Sequence, residues 1–96
     1  MSKIRVQNMT SNSGAAAANQ FIIRECFQDG RLKAVYFQSY DSVIVEKRNG
    51  KIYLDRSTWN YSRTTGRYRN IFLGEGIART REKIASGEYK LKKLNR

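Results

Sequence analysis

Ninety-six residues, 40% of them hydrophobic, set a limit of one small domain, and a single cysteine with no histidine removes several chemistries at once. No internal disulfide can form, zinc has no thiolate and imidazole ligand set, and Cys–His or Ser–His–Asp catalysis lacks its base. The formal net charge is +11, from 19 basic and 8 acidic side chains, which suits an anionic partner.

Residues 1–20 read as a flexible arm. Asn8 to Gly14 is polar and turn-prone, and Ala15 to Ala18 carries no pattern. A short strand at Lys3–Gln7, with Ile4 and Val6 on one face, is the competing reading. Residues 21–55 then read as a β-meander. Period-two alternation sets Phe21, Ile23 and Phe27 on one face of the first strand. Cys26 reads as a small, partly buried apolar residue. Asp29-Gly30 is a hairpin signal, because a type I′ turn needs positive φ at both central positions. Leu32 to Gln38 returns as a second strand, and Ser39 to Ser42 turns the chain. Val43 to Arg48 is the third strand, Asn49-Gly50 the strongest hairpin signal, and Lys51 to Leu54 the fourth strand.

After Asp55 the period becomes helical and the charge rises. Residues 55–96 hold 11 Lys+Arg against 4 Asp+Glu, a surplus of +7, whereas the first 54 residues hold 8 against 4. Ser57 and Thr58 suit a short turn carrying Trp59. Ser62 or Thr64 caps a helix that runs to about Leu73, where Gly74 ends it. Gly66 weakens that helix by roughly 1 kcal/mol relative to alanine. A second helix spans about Gly76 to Ala85, with Ile77 and Ile84 inward. Ser86-Gly87 stops it, and Glu88 to Leu94 alternates as a final strand with Tyr89 and Leu91 inward. The predicted inward set is Phe21, Ile23, Leu32, Val45, Ile52, Leu54, Trp59, Tyr68, Phe72, Ile84 and Leu91, with the opposite sheet face as the alternative place for some of them.

The carboxylates do not form a spacing that asks for acid–base or metal chemistry, so no catalytic residue, metal ligand or cofactor is expected. Gly74-Glu75-Gly76 is a helix break, because no Lys-Ser/Thr pair follows to make a phosphate loop. Two short helices joined by glycines invite comparison with a helix-turn-helix, with Arg79, Arg81 and Lys83 on the second helix. The basic and aromatic stretch Trp59 to Arg69 is the best candidate site. Forked arginines pair phosphates, while Trp59 and Tyr68 belong in the core. The predicted binding surface is Arg63, Arg67, Arg69, Arg79 and Lys83 on the helical layer, with Lys90 and Lys92 on the last strand.

Several motifs occur together: Tyr36-Phe37-Gln38-Ser39-Tyr40-Asp41-Ser42, Tyr53-Leu54-Asp55, Trp59 to Asn70, Phe72-Leu73-Gly74-Glu75, Thr80-Arg81-Glu82-Lys83-Ile84 and Ser86-Gly87-Glu88-Tyr89. Over residues 19–95 they resemble a family of small, mostly uncharacterised proteins of bacteriophages and other bacterial mobile elements. The resemblance implies no activity and no site residues. It implies action by binding, on nucleic acid or on a host machine.

The expected fold is α+β: an antiparallel meander of four or five strands over residues 21–96, with two short helices on one face. The expected function is a non-enzymatic accessory protein that binds DNA or RNA. The alternative is an anti-defence, anti-CRISPR-like inhibitor of a bacterial protein or ribonucleoprotein complex. Neither a membrane span nor a signal-peptide core is evident, so the cytoplasm is the expected compartment, and the resemblance implies that of a bacterial host if the chain is phage-encoded. A homodimer through a free sheet edge is compatible with the last strand.

Overall fold

The computed structural model describes residues 2–95. Its first departure from the sequence reading lies in the segment taken for a flexible arm. Lys3–Thr10 forms strand β1 and Ala16–Cys26 forms β2, paired antiparallel with Ile4 opposite Glu25 and Val6 opposite Ile23. The Ser11 to Ala15 turn closes the hairpin: Ser11 donates its N–H to Ala15 O at 2.8 Å and Gly14 donates to Ser11 O at 2.9 Å. The alanines hide this strand from sequence reading because they carry no alternation, yet a ladder needs only backbone groups. A bulge between Asn8 and Thr10 turns Met9 into the core, and Ala17 is buried with it.

The chain continues through β3 (Leu32–Ser39), β4 (Ser42–Arg48) and β5 (Lys51–Asp55), helices α1 (Arg63–Leu73) and α2 (Ile77–Ser86), and β6 (Tyr89–Lys92). One sheet holds six strands in the order β1-β2-β3-β4-β5-β6. The class is α+β as expected, but the strand count is six rather than four or five. The meander is antiparallel through β5. The last strand lies parallel to β5, because the chain returns through the two helices rather than through a hairpin.

Turn chemistry fixes the register. Asn49 and Gly50 both have positive φ, 54° and 74°, as a type I′ turn requires. At Asp29-Gly30 only Gly30 is positive, and a longer loop forms, with Phe27 N–H on Arg31 O at 2.8 Å. Ser62 caps α1 by accepting the Thr65 N–H at 3.1 Å, and Gly74 ends the helix at φ 72°.

Pairing assigns the faces. Gln20, Ile22 and Arg24 sit opposite Ser39, Phe37 and Val35, and Val45 and Leu54 continue this row toward the helices. Phe37 stacks on Phe72 of α1 with centroids 5.8 Å apart, and Ser39 Oγ lies 2.8 Å from Thr65 Oγ1. The core is Met9, Ala17, Phe37, Ile44, Val45, Leu54, Tyr68 and Tyr89, with Ile22, Ile52, Trp59, Phe72, Leu73, Ile84 and Leu91 packed around it.

Three members of the expected inward set lie elsewhere. Phe21 and Ile23 occupy the face away from the helices, and Leu32 is exposed. Ile22 takes the inner position instead. Phe21-Ile22-Ile23 is apolar at consecutive positions, so alternation alone does not choose its phase. The fully buried Gln20, two residues before Ile22, shows which phase won.

The outer face is open and is tied together by polar groups. Arg48 donates to the Tyr36 hydroxyl at 2.6 Å and to Glu46 at 3.1 Å, and Tyr36 donates to Glu25 at 3.1 Å. Lys92 reaches Glu46 at 3.8 Å from the far edge. No helix among the described residues is long and apolar enough to cross a membrane.

Candidate anion-binding surface

Helix α1 divides its residues by spacing. Thr65, Tyr68, Arg69 and Phe72 follow the i, i+3, i+4, i+7 pattern of one buried stripe. Thr65, Tyr68 and Arg69 are buried, and Phe72 packs on the core. Arg63 and Arg67, one turn apart, are exposed. On α2, Thr80 is buried while Arg79 and Arg81 are exposed.

The seven residues of the expected surface therefore do not lie together. Arg63 and Arg67 line a shallow groove of about 650 Å³ on the helical layer. Its wall also includes Asn60, Gly66, Asn70 and Arg81, the last of these outside the expected set. Arg79 pairs with Glu82 at 2.9 Å on the exposed side of α2. Lys83 is half-buried and engaged: it donates to Glu75 at 2.6 Å and to the Tyr89 hydroxyl at 3.4 Å. Lys90 and Lys92 alternate with the inward Tyr89 and Leu91, so they face away from the helices, on the open side of the sheet. Two of the expected residues thus lie on the opposite side of the molecule from the groove.

Arg69 is the clearest correction. Sequence reading places it on the surface, but it is 1% exposed. Its Nη1 donates to Trp59 O at 2.7 Å and to Asn60 Oδ1 at 3.1 Å, and its Nη2 donates to Asn70 Oδ1 at 2.9 Å. The guanidinium carbon sits 5.4 Å from the centre of the Trp59 ring. Nε has no acceptor among the described residues. The spacing of Thr65, Tyr68, Arg69 and Phe72 carried the signal, but an arginine on an apolar stripe is normally read as solvated.

Charge in the groove is one-sided. None of Arg63, Arg67, Arg69 and Arg81 has a carboxylate within ion-pair distance among the described residues. Burial pushes the Arg69 guanidinium below the ordinary arginine value, the charge of Arg81 pushes the same way, and Glu75 opposes them. Glu75 is itself committed. Burial alone would raise its pKa, but hydrogen bonds from Lys83, Thr80 and Tyr89 hold it below the ordinary carboxylate value. The net field in the groove is therefore positive, which raises the local concentration of anions.

Gly66 shapes the approach. A Cβ at this position would lie 3.7 Å from Arg69 Nη2 and 3.8 Å from Nη1, so the guanidinium lies directly beneath the glycine. The exposed Tyr61 stands between the groove-lining Asn60 and Ser62. No group of three or more carboxylate, thiol or imidazole side chains is gathered among the described residues in a way that would hold a metal ion. Residues 4–89 match the model of a family of unknown function, DUF8033. No curated protein and no solved structure matches the chain.

Proposed function

The chain belongs to this family of unknown function, and from that premise we propose that it is a non-enzymatic protein that binds nucleic acid by its phosphate backbone. The observation that carries the reading is the set of arginines without carboxylate partners that converges on one groove: Arg63, Arg67 and Arg81 at its rim and Arg69 in its floor. Paired arginines are neutralised within the fold. Unpaired ones gathered in a concavity favour an external anion, and guanidinium forks match phosphate geometry. The ligand reads as single-stranded or end-exposed rather than groove-read duplex, because Arg79 is paired with Glu82 and Lys83 with Glu75, which leaves α2 without its row of free cations. Tyr61 supplies the exposed aromatic surface on which a base can stack. The resemblance of its motifs to those of phage and mobile-element proteins favours such an origin, and with it action in the host cytoplasm.

Fluorescence anisotropy with labelled single-stranded and duplex oligonucleotides at low salt tests the reading. Saturable binding is expected, weakened at least tenfold when Arg63, Arg67 and Arg81 are changed together to glutamine. Absence of binding to every oligonucleotide would remove the proposal.

A second reading, an inhibitor of a bacterial effector, is favoured by a different feature. Strand β1 is a free edge, and its Ile4 and Val6 are 59% and 63% exposed on the open sheet face. A pull-down from host lysate, with and without nuclease, distinguishes the two. A stoichiometric complex that survives nuclease would support the second.

A further inference from the structure

We infer that the free edge of β1 is a docking site for an extended acidic segment of another protein, which joins the six-stranded sheet as a further strand. Its carboxylates would lie on the side of Lys3 and Arg5, and its apolar residues beside Ile4 and Val6. The inference lies outside the arginine groove. It gives a ligand chemistry to the edge on which the inhibitor reading rests, and its test is arranged so that it fails apart from either reading.

The two edges of the sheet differ. β6 is four residues long, which leaves little backbone to pair. β1 runs for eight residues and pairs on one side only, so the N–H and C=O groups of alternate residues point away from β2 with no strand to receive them. Natural edges are commonly closed by proline, a bulge or a covering element. This chain has no proline, and the bulge of β1 lies at its far end, between Asn8 and Thr10. From Lys3 to Asn8 the register with β2 is unbroken and every residue is exposed.

Period two divides this stretch into two rows. Ile4 and Val6 stand opposite Glu25 and Ile23 on the outer face, where they are 59% and 63% exposed. Lys3 and Arg5 lie on the helix side, and Arg5 stands directly opposite Arg24. Like charges so placed repel. Arg24 turns to Gln7 Oε1 at 2.8 Å, a neutral acceptor. None of Lys3, Arg5 and Arg24 has a carboxylate within ion-pair distance among the described residues. β1 contains no acid. The one acid of β2, Glu25, is on the other face and already engaged by Lys33, Arg48 and the Tyr36 hydroxyl. The edge therefore presents an apolar row, a cationic row without counterions, and a line of backbone partners between them.

These three features select the occupant. Paired strands set their side chains on shared faces, so a segment that alternates acidic and apolar residues meets both rows in one register. A second copy fits less well, because it brings its own Lys3 and Arg5 onto the cationic row of a chain whose net charge is +11. A nucleic acid meets the cations but neither pairs with the strand backbone nor covers Ile4 and Val6. Strand addition of this kind takes affinity from the main chain and specificity from alternate side chains.

The probe is a capped peptide of alternating valine and glutamate, equal in length to the eight residues of β1. Binding at physiological salt is followed by NMR on the amides of Lys3 to Asn8, together with their hydrogen exchange. Saturable shifts and slower exchange of the outward-pointing β1 amides are expected. Methylating the backbone nitrogens of the valines in one version, and of the glutamates in another, keeps charge and side chains but removes ladder donors. One of the two should bind weaker by about tenfold or more. Changing Lys3 and Arg5 together to glutamate should weaken binding similarly and admit instead a peptide with lysine in place of glutamate. Changing the exposed Lys90 and Lys93 to glutamate alters net charge equally and should leave the affinity nearly unchanged. If the Lys3 and Arg5 variant does not fold, the peptide series decides the matter.

Undiminished binding of both methylated peptides, or an equal loss in the Lys90 and Lys93 variant, would reduce the effect to general charge attraction and overturn the site. A wild-type dimer in sedimentation, with its β1 amides already protected, would give the edge to a second copy and overturn it too. So would weaker oligonucleotide binding in the Lys3 and Arg5 variant with no binding of the peptide. Peptide binding with no host complex in the pull-down keeps the site and removes the inhibitor reading. Peptide binding with no oligonucleotide binding keeps the site and removes the nucleic-acid reading. A nuclease-resistant host complex with no peptide binding keeps the inhibitor reading and overturns the site.

Discussion

A guanidinium that is 1% exposed with no carboxylate beside it is uncommon, because a buried charge normally brings its counterion with it. Arg69 serves the fold through its guanidinium over Trp59 and its bonds to three oxygens. Arg69→Ala would strip these acceptors of their donor and leave a void, so a loss of about 2–4 kcal/mol in urea unfolding is expected. A loss below about 0.5 kcal/mol would show that the side chain is not structural. Glu75 is the second residue with an exacting environment. Its folded pKa lies below the ordinary glutamate value of 4.5, so its contribution is present above that pH and is lost as pH falls through the folded value. Lys83 has the opposite sign. Its folded pKa lies above 10.5, so its share is present at neutral pH and is lost only at higher pH. Glu75→Gln should lower stability by about 1–3 kcal/mol at pH 7. It should also flatten the fall in midpoint between pH 5 and about pH 3, as followed by thermal unfolding.

At the scale of elements, α1 was legible nearly to the residue because its punctuation is local. Ser62 and Gly74 stand where caps belong, and each makes the bond expected of it. The Asn49-Gly50 turn was legible for the same reason. Strand β1 was legible only as the competing reading of Lys3–Gln7, and the start of β2 was not, since neither Ala15 to Ala18 nor the Asn12-Ser13-Gly14 turn distinguishes a tail from a hairpin before a partner strand is known. The parallel setting of β6 was equally hidden: its alternation is the same whichever way it runs. Of the candidate site, the exposed Arg63 and Arg67 followed from helical spacing, whereas the dispersal of Lys90 and Lys92 to the other face required the sheet to be assembled first. Two substitutions test the helix. Ser62→Ala should cost about 1 kcal/mol through the lost cap. Gly66→Ala should raise stability by up to about 1 kcal/mol, because the added Cβ meets Arg69 at ordinary contact distance and the helix gains propensity. Destabilisation by Gly66→Ala in chemical unfolding would mean that the fold itself depends on the space above the guanidinium.

Over the whole molecule, the unpaired groove arginines and the ion-paired sheet face lie on opposite sides. The helical layer carries the groove with its arginines, while the outer sheet face carries Ile4, Val6, Phe21, Ile23, Tyr36 and Tyr53 among ion-paired side chains. The excess of +7 in residues 55–96 overstates the proposed binding surface, because Arg79 and Lys83 are internally paired and Lys90 and Lys92 lie across the sheet. What remains is small and concave, which favours a few close phosphate contacts over a broad electrostatic coat. The salt dependence of oligonucleotide affinity tests that account most directly. For the wild type, log affinity for a single strand should fall linearly with log salt, with a slope of roughly 0.7 per phosphate contacted, and for three or four contacts the slope is about −2 to −3. Changing Arg63, Arg67 and Arg81 together to glutamine should remove most of that slope, whereas changing Lys90 and Lys92 should leave it nearly intact. An unchanged slope in the arginine variant, or a loss of slope in the lysine variant, would contradict the placement of the interface in the groove.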